Sequence, residues 1–388
     1  MRRNRRGICL RGLFVCLLLC CSTNATTLRI GTYNIDASGQ LSNDNVPSIA
    51  TVLEAIGNHH IAGNVQPLDA IGLEELLDTN NNSITSSTLP ILLNKLNTFY
   101  GPGTYAFDPT PDPTTGGIFN GPSGLIYNTH TIQVVAAKSL AFGIQTISGL
   151  PRAPMRYQLR PVGYGPNADF YMYVSHVKSG SGSINTFERS DEGSEIRQDA
   201  DALGSSAHIL YTGDYNLFSD SNEPAYQTLL APGTAQAHDP ASFTQVWSAD
   251  AAHVDIETEE DFAVQFRDDV ELPTTNVYNQ AGIYTQPGLR LANGAYIVFG
   301  NGSSPSVAAG GTAQPFQGSI LYSGNHSLDN LSNANDVFNA LLLGSDHLPV
   351  VADYNLVGVA PLPEPGSMGL LVTAALLRRR RKSMHIRS

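Results

Sequence analysis

Cysteine is absent from all but the first 21 residues of this 388-residue chain: Cys9, Cys16, Cys20 and Cys21 are its four, and none follows. If that segment is removed on maturation, no thiol remains. This excludes a disulfide framework, a cysteine-bearing zinc site and a cysteine nucleophile in the mature chain. Positive charge is scarce in the body as well. The chain has 22 Lys and Arg against 34 Asp and Glu, but eleven of the 22 lie in the two ends, where Glu364 is the only acid. Residues 26 to 360 therefore keep 11 basic and 33 acidic side chains, a formal charge of −22 where the whole chain has −12. Such a field repels phosphate polymers and excludes a basic protein that simply coats nucleic acid, although metal ions can neutralise it locally.

Long hydrophobic runs are missing too. The start combines Arg2, Arg3, Arg5, Arg6 and Arg11 with an apolar run from Gly12 to Cys21 and small residues around Ala25. That is the layout of a secretory signal peptide spanning residues 1 to 25. Ten residues rise about 15 Å as a helix, half of a hydrocarbon core of about 30 Å, so a lasting span is the weaker reading. A lipoprotein signal is weaker as well, because Leu19 precedes Cys20 and Cys20 precedes Cys21, where a small residue is expected.

The other end, residues 361 to 388, holds Pro363-Glu364-Pro365, an apolar run from Gly366 to Leu377 and a basic cluster from Arg378 to Lys382. This resembles the PEP-CTERM sorting signal of Gram-negative bacteria. A short apolar run can rest in a membrane while its arginines stay on the cytoplasmic side. The resemblance implies transient membrane contact through the tail, processing by an exosortase-type enzyme, and delivery to the cell surface or extracellular matrix. A tail anchor or a merely apolar C-terminus is the rival reading.

Between the ends, residues 26 to 360 fit one large α/β domain. Apolar runs bounded by Gly, Asn or Pro predict strands over Leu28 to Ile35, Ala70 to Leu73, Gly124 to Tyr127, Phe170 to His176, Ala207 to Thr212 and Leu348 to Asn355. Helical spacing predicts helices over Val46 to Ile56, Leu89 to Phe99 and Arg189 to Leu203. The mixture points to two layers of sheet covered by helices. Residues 101 to 123, rich in Pro, Gly and Thr, and residues 275 to 335, rich in Gly, Asn and Ser, read as loops or loosely ordered insertions. The second is long enough to be a binding surface or a family embellishment.

Five segments place polar, metal-competent side chains at the ends of these runs. They are Tyr33-Asn34, Leu73-Glu74-Glu75, Ser175-His176, Gly213-Asp214-Tyr215-Asn216 and Ser345-Asp346-His347. Carboxylate and amide oxygens suit hard divalent cations, and a neutral imidazole serves as acid or base. In this order, the motifs resemble the endonuclease/exonuclease/phosphatase superfamily over about Leu28 to Leu356. The resemblance implies a four-layer α/β sandwich of two packed mixed sheets flanked by helices. Its active site would lie at one edge of the paired sheets.

The same resemblance implies roles by position. Asn34, Glu75 and Asp346 would hold Mg²⁺ or Mn²⁺, with Ca²⁺ as an alternative. His347 would be the general base, with Asp269 as its orienting partner; Arg267-Asp268-Asp269-Val270 resembles the family's Arg-x-Asp before a strand. Asp214 and Asn216 would align the attacking water, and His176 would donate to a phosphate oxygen or the leaving group. Arg152, in Pro151-Arg152-Ala153-Pro154, resembles the phosphate-contacting arginine of the deoxyribonuclease branch, through a short match. Glu74 stands where members of the family usually carry Gln, which leaves it as either a second ligand or simply a neighbour, and Asp36, in Asn34-Ile35-Asp36, is too short a match to be assigned.

Each motif has a plainer rival: Gly-Asp-Tyr-Asn is commonly just a turn in which Asp and Asn bond their own backbone. The leading expectation is an exported, monomeric, metal-dependent phosphoesterase that hydrolyses by in-line water attack, with a phosphate ester, first of all DNA, as substrate. A sphingomyelinase-like enzyme or small-molecule phosphatase fits the acidic surface equally well. A non-catalytic surface or matrix protein that binds through residues 275 to 335 is the third reading.

Overall fold

The computed structural model describes residues 26–37, 42–77, 88–111, 121–140, 152–217, 222–241, 256–260, 265–278, 286–301, 328 and 331–362. In chain order these form β1 Thr27–Asn34, α1 Val46–Asn58, β2 Ala70–Glu74, α2 Thr88–Tyr100, β3 Tyr105–Phe107, β4 Gly124–Asn128, β5 Ile132–Ser139, β6 Met155–Pro161 and β7 Phe170–His176. There follow α3 Ser183–Ala202, β8 Ile209–Asp214, α4 Pro224–Leu230, β9 Glu259–Glu260, β10 Gln265–Phe266, β11 Asp269–Pro273, α5 Thr275–Tyr278, β12 Gly288–Val298, α6 Ala334–Gly344 and β13 Val350–Val357.

Strand alternation builds two sheets that bury both faces. One sheet has the order β12-β13-β1-β2-β4-β3 and the other β11-β8-β7-β6-β5, with β9 and β10 as a short separate ribbon. In β1 the even-numbered Leu28 and Ile30 face the second sheet; in β7 Phe170, Met172 and Val174 face back, and together they fill the core between the sheets. The opposite face of the first sheet packs Leu73, Ile71 and Val351 under α1, α2 and α6. The opposite face of the second packs Tyr173, Tyr211, Val270 and Leu272 under α3 and α4. Helices, sheet, sheet, helices make four layers, as the motifs predict. The sheets approach closely at Gly72, where an added Cβ would lie 2.7 Å from Val174, so a side chain there would force them apart.

Two sequence readings need correction. Residues 275 to 335 are not simply a loop or an insertion, because α5 and the eleven-residue β12 lie within them and β12 pairs along β13 from Gly288 to Val298. A register shift between Leu291 and Tyr296 leaves Asn293 and Gly294 outside the pairing. These two residues have turn chemistry within the strand, and a bulge accommodates them without ending it. Residues 101 to 123 likewise include β3, paired to β4. The signal-like residues 1–25 and the tail from 363 onward lie outside the described residues. Among the described residues no helix is long and apolar enough to cross a membrane.

Candidate functional site

The alternation that fills the space between the sheets also supplies the site. Continuing the inward rows, Leu28-Ile30-Thr32 leads to Asn34, Ala70-Gly72 to Glu74, Phe170-Met172-Val174 to His176, and Leu210-Thr212 to Asp214. Neighbouring strands bring the row ends together: Asn34 pairs in register with Glu74, His176 with Asp214, and Asp214 with Asp269. Apolar rows thus become polar at one edge of both sheets at once. Among the described residues, three of the four non-glycine residues with positive φ lie at this edge, Asp36 (46°), Glu75 (56°) and Asn216 (48°). Each turns the chain abruptly out of its strand, a sparsely populated conformation that functional sites retain at a cost in stability.

The polar contacts converge on Asn34 and Asp214. Asn34 Nδ2 donates to Asp214 Oδ2 at 3.0 Å and to Glu75 Oε1 at 3.4 Å, and lies 3.4 Å from His347 Nε2. Asp214 Oδ2 is also 3.2 Å from His176 Nε2, which is 3.7 Å from Glu75 Oε1. The other Asp214 oxygen accepts the Asn216 backbone N–H and side-chain amide, both at 2.9 Å. This is the Asx-type turn of the plainer reading, but here it also fixes the carboxylate that faces His176. His347 Nδ1 lies 2.7 Å from Asp269 Oδ2, with Asp269 fully buried. Ser345 orients this loop, its hydroxyl donating to Asn34 O at 2.7 Å and accepting the His347 N–H at 3.1 Å.

Burial and crowding of like charge set the protonation of these groups. Burial works against a charge on His347, but the Asp269 carboxylate outweighs it and holds the imidazole pKa well above its ordinary value. His176 moves the opposite way, because burial and then the nearby positive charge of Arg152 favour the neutral ring. Burial pushes Asp214 up to about 7. Glu74 is pushed well up by burial and then by Asp269, and Asp268 by burial and then by its hydrogen bond with Glu259.

The predicted site residues are brought together with two qualifications. Asn34, Glu75, His176, Asp214, Asn216, Asp269 and His347 form one contiguous group. Asp346 joins it only through His347, its Oδ1 3.9 Å from Nε2 and its side chain half exposed. Of the three residues expected to hold a metal, Asn34 and Glu75 therefore lie within the group and Asp346 at its rim, and the Asn34 oxygen accepts the Asp36 N–H at 3.1 Å. Glu259, Asp346 and His347, however, bring three ligand atoms within 4.8 Å of one another. Glu259 bears no motif, and the bridge between the Glu259 and His347 backbones, with the Leu348 N–H donating to Thr258 O at 2.7 Å, puts it there. Oxygen donors dominate this edge, so a hard divalent cation fits the donor chemistry. Arg152 reaches the same edge, donating to Val177 O at 3.1 Å, one residue beyond His176.

No family model matches the sequence, and no curated protein matches it. Solved structures do. The human Nocturnin catalytic domain superposes with a TM-score of 0.50 at 15% identity, over 85% of this chain and 94% of that one. A humanized D. rerio TDP2 gives 0.46 at 14% identity, over 85% and 99%. An endonuclease/exonuclease/phosphatase family protein from Bacteroides thetaiotaomicron gives 0.46 at 13%, over 86% and 98%. At such identities the likeness speaks to architecture, and with the sheet order and four layers described above, the chain has the endonuclease/exonuclease/phosphatase fold that its motifs predict.

Proposed function

We propose that this chain is a divalent-metal-dependent phosphoesterase that hydrolyses its substrate by in-line attack of water. The observation that carries the reading is the His347–Asp269 pair at 2.7 Å, with His347 Nε2 turned toward Asn34 and the edge shared with Asp214 and His176. A buried carboxylate on Nδ1 fixes the tautomer and leaves Nε2 to take a proton. As the water oxygen bonds to phosphorus, its proton passes to His347 Nε2. The ester P–O bond opposite breaks, and the departing oxygen is protonated from solvent. Asp214, held by Asn216, orients the water, while the neutral His176 donates from Nε2 to a phosphoryl oxygen. Glu75, Asp346 and Glu259, with Asn34 after its amide turns over, would hold a Mg²⁺ or Mn²⁺ ion. When bound, such an ion neutralises the phosphoryl oxygens and lowers the proton affinity of His347 toward that of a base.

Residues 1–25 and the Pro-Glu-Pro tail support export and surface sorting as part of this proposal. The test is hydrolysis of bis(p-nitrophenyl) phosphate and p-nitrophenyl phosphate by the purified chain, before and after EDTA, with Mg²⁺ or Mn²⁺ restored. Turnover that EDTA abolishes, that metal restores, and that His347→Ala lowers by about 10² or more is expected. Metal-independent turnover, or full activity in His347→Ala, overturns the mechanism.

A further inference from the structure

The leading expectation from sequence was a nucleic-acid substrate, and the arrangement of positive charge bears directly on it. All eleven basic residues of the span 26 to 360 lie among the described residues. Seven are consumed by carboxylates: Arg29 by Asp353, Lys138 and Arg156 by Asp199, Arg160 by Asp169, Arg189 by Glu223, Arg197 by Asp201 and Arg267 by Asp239. Arg290 is buried and donates to the Leu289 carbonyl. Lys95 is exposed on α2, the helix that covers the outer face of the first sheet and carries no residue of the site. That leaves Arg152 and Lys178.

Both flank the end of β7. Arg152 Nη1 bonds the Val177 carbonyl, its Nε is buried with no hydrogen-bond partner, and Lys178 follows one residue later. Glu192 sits beneath them, accepting the Lys178 N–H at 2.7 Å. Close to the site, the positive charge available to a substrate is thus gathered at one strand end beside His176.

A nucleic-acid strand presents one phosphate per nucleotide, and binding draws on several of them through separate lysine or arginine contacts. No basic track leaves this site, and a body of charge −22 surrounds it. Resting on the phosphoesterase reading above, we propose that the substrate is a small ester with a single phosphoryl group, received between Arg152, Lys178 and His176, and not a nucleic-acid strand. A single phosphate needs no more than this pair of cations, whereas each further phosphate of a strand would meet acidic surface.

The test measures kcat/KM of the full chain with Mn²⁺ at matched phosphate concentration. The substrates are p-nitrophenyl phosphate, glucose 6-phosphate, sphingomyelin vesicles, a single-stranded oligonucleotide and plasmid DNA. The expected result is a preference of at least 100-fold for a one-phosphate substrate over either nucleic acid, the vesicle arm telling whether that phosphate is free or on a lipid. Its rate should depend weakly on salt, with a logarithmic slope near −1 or shallower, and Arg152→Gln with Lys178→Gln should raise KM about tenfold or more. Oligonucleotide or plasmid turned over faster than every one-phosphate substrate overturns the assignment while leaving the phosphoesterase standing, as does an unchanged KM in the double variant. No metal-dependent turnover of any substrate removes the phosphoesterase reading itself, and this inference falls with it.

Discussion

Replacing Arg29 should unfold this domain from the end opposite its site. Arg29 is fully buried and lies directly across the β1–β13 ladder from Asp353, to which its guanidinium donates twice, from Nε at 2.8 Å and from Nη2 at 3.1 Å. Its remaining donors are spent on four backbone carbonyls: Ile56, His59 and Gln66 from Nη1, at 2.7 to 3.1 Å, and Asn64 from Nη2 at 3.0 Å. One side chain therefore ties the end of α1 and the loop after it to the sheet. Arg29→Leu keeps the apolar stem but leaves the buried Asp353 without its partner, and loss of one member of a buried pair costs about 3–5 kcal/mol. The orphaned carbonyls add to this wherever water cannot reach them.

For a domain of this size the loss corresponds to a fall in Tm of roughly 5–10 °C, or about 1 M in the urea midpoint. The partner variant separates the causes. Arg29→Leu combined with Asp353→Leu should recover part of the loss, since the uncompensated charge is gone, but not all of it, since the carbonyls remain unpaired. Asn34 lies five residues, about 17 Å, further along β1, so the variant that stays folded at 20 °C should keep its site intact. A destabilisation below 1 kcal/mol in urea titrations, or a double variant no better than the single, would refute the reasoning.

Other consequences follow from single contacts. Asp269→Asn preserves shape but leaves His347 without its buried carboxylate, and should lower turnover by about 10² or more with a melting point changed by only a few degrees. Gly213→Ala places a Cβ 2.0 Å from the Ser175 carbonyl at a φ of 124°, so it should cost about 3 kcal/mol in urea unfolding and displace Asp214 from His176. Burial, then Arg290, holds the His208 pKa down to about 4. The folded chain therefore binds fewer protons there than the unfolded one, and this stability is complete above pH 6.5 and lost as pH falls toward 4, by up to about 3 kcal/mol. Urea midpoints measured from pH 7 to 4.5 should fall less steeply in His208→Gln than in the parent; equal slopes would exclude His208 as the source.

What could be read from sequence was whatever ended a regular row. β1, β2 and β7 lie within one residue of their predicted bounds because each apolar run stops at Asn34, Glu74 or His176, and those stops are the site. The pairing of His347 with Asp269 was likewise legible, through a three-residue pattern before a strand. β12 was not, because Asn293-Gly294 has turn chemistry and only pairing against β13 turns it into a bulge. The first turns of α3 were missed for another reason: Ser183 to Glu188 carries Asn185, Thr186 and an exposed Phe187, so no apolar stripe announces a helix there. Glu259 has no signal in its run of acids, since its place beside Asp346 depends on a backbone bridge across 88 residues.

The two ends of the sheets are built on opposite terms, and that contrast makes Glu74 informative. At the Arg29 end the guanidinium donors and both Asp353 oxygens are engaged. At the site end, Glu74 is fully buried with Oε1 accepting from Thr32 at 2.9 Å, while Oε2 has no donor, and Asp269 Oδ1 has none either. While ionised, Glu74 is a buried, acceptor-only side chain beside the Asp269 and Asp214 carboxylates, the arrangement that costs a folded protein most and the reason its pKa is held well up. Glu74→Gln keeps the oxygen that Thr32 bonds and turns two N–H groups toward the neighbouring carboxylates. It should therefore raise the metal-free melting point, by the few degrees that about 1–2 kcal/mol produces. If a divalent cation normally relieves this crowding, the advantage should shrink when Mg²⁺ or Mn²⁺ is added, because the parent gains more from the ion than the variant does. A variant less stable than the parent without metal would show that Glu74 is satisfied in solution. Equal metal-induced shifts in both chains would separate Glu74 from the cation's field.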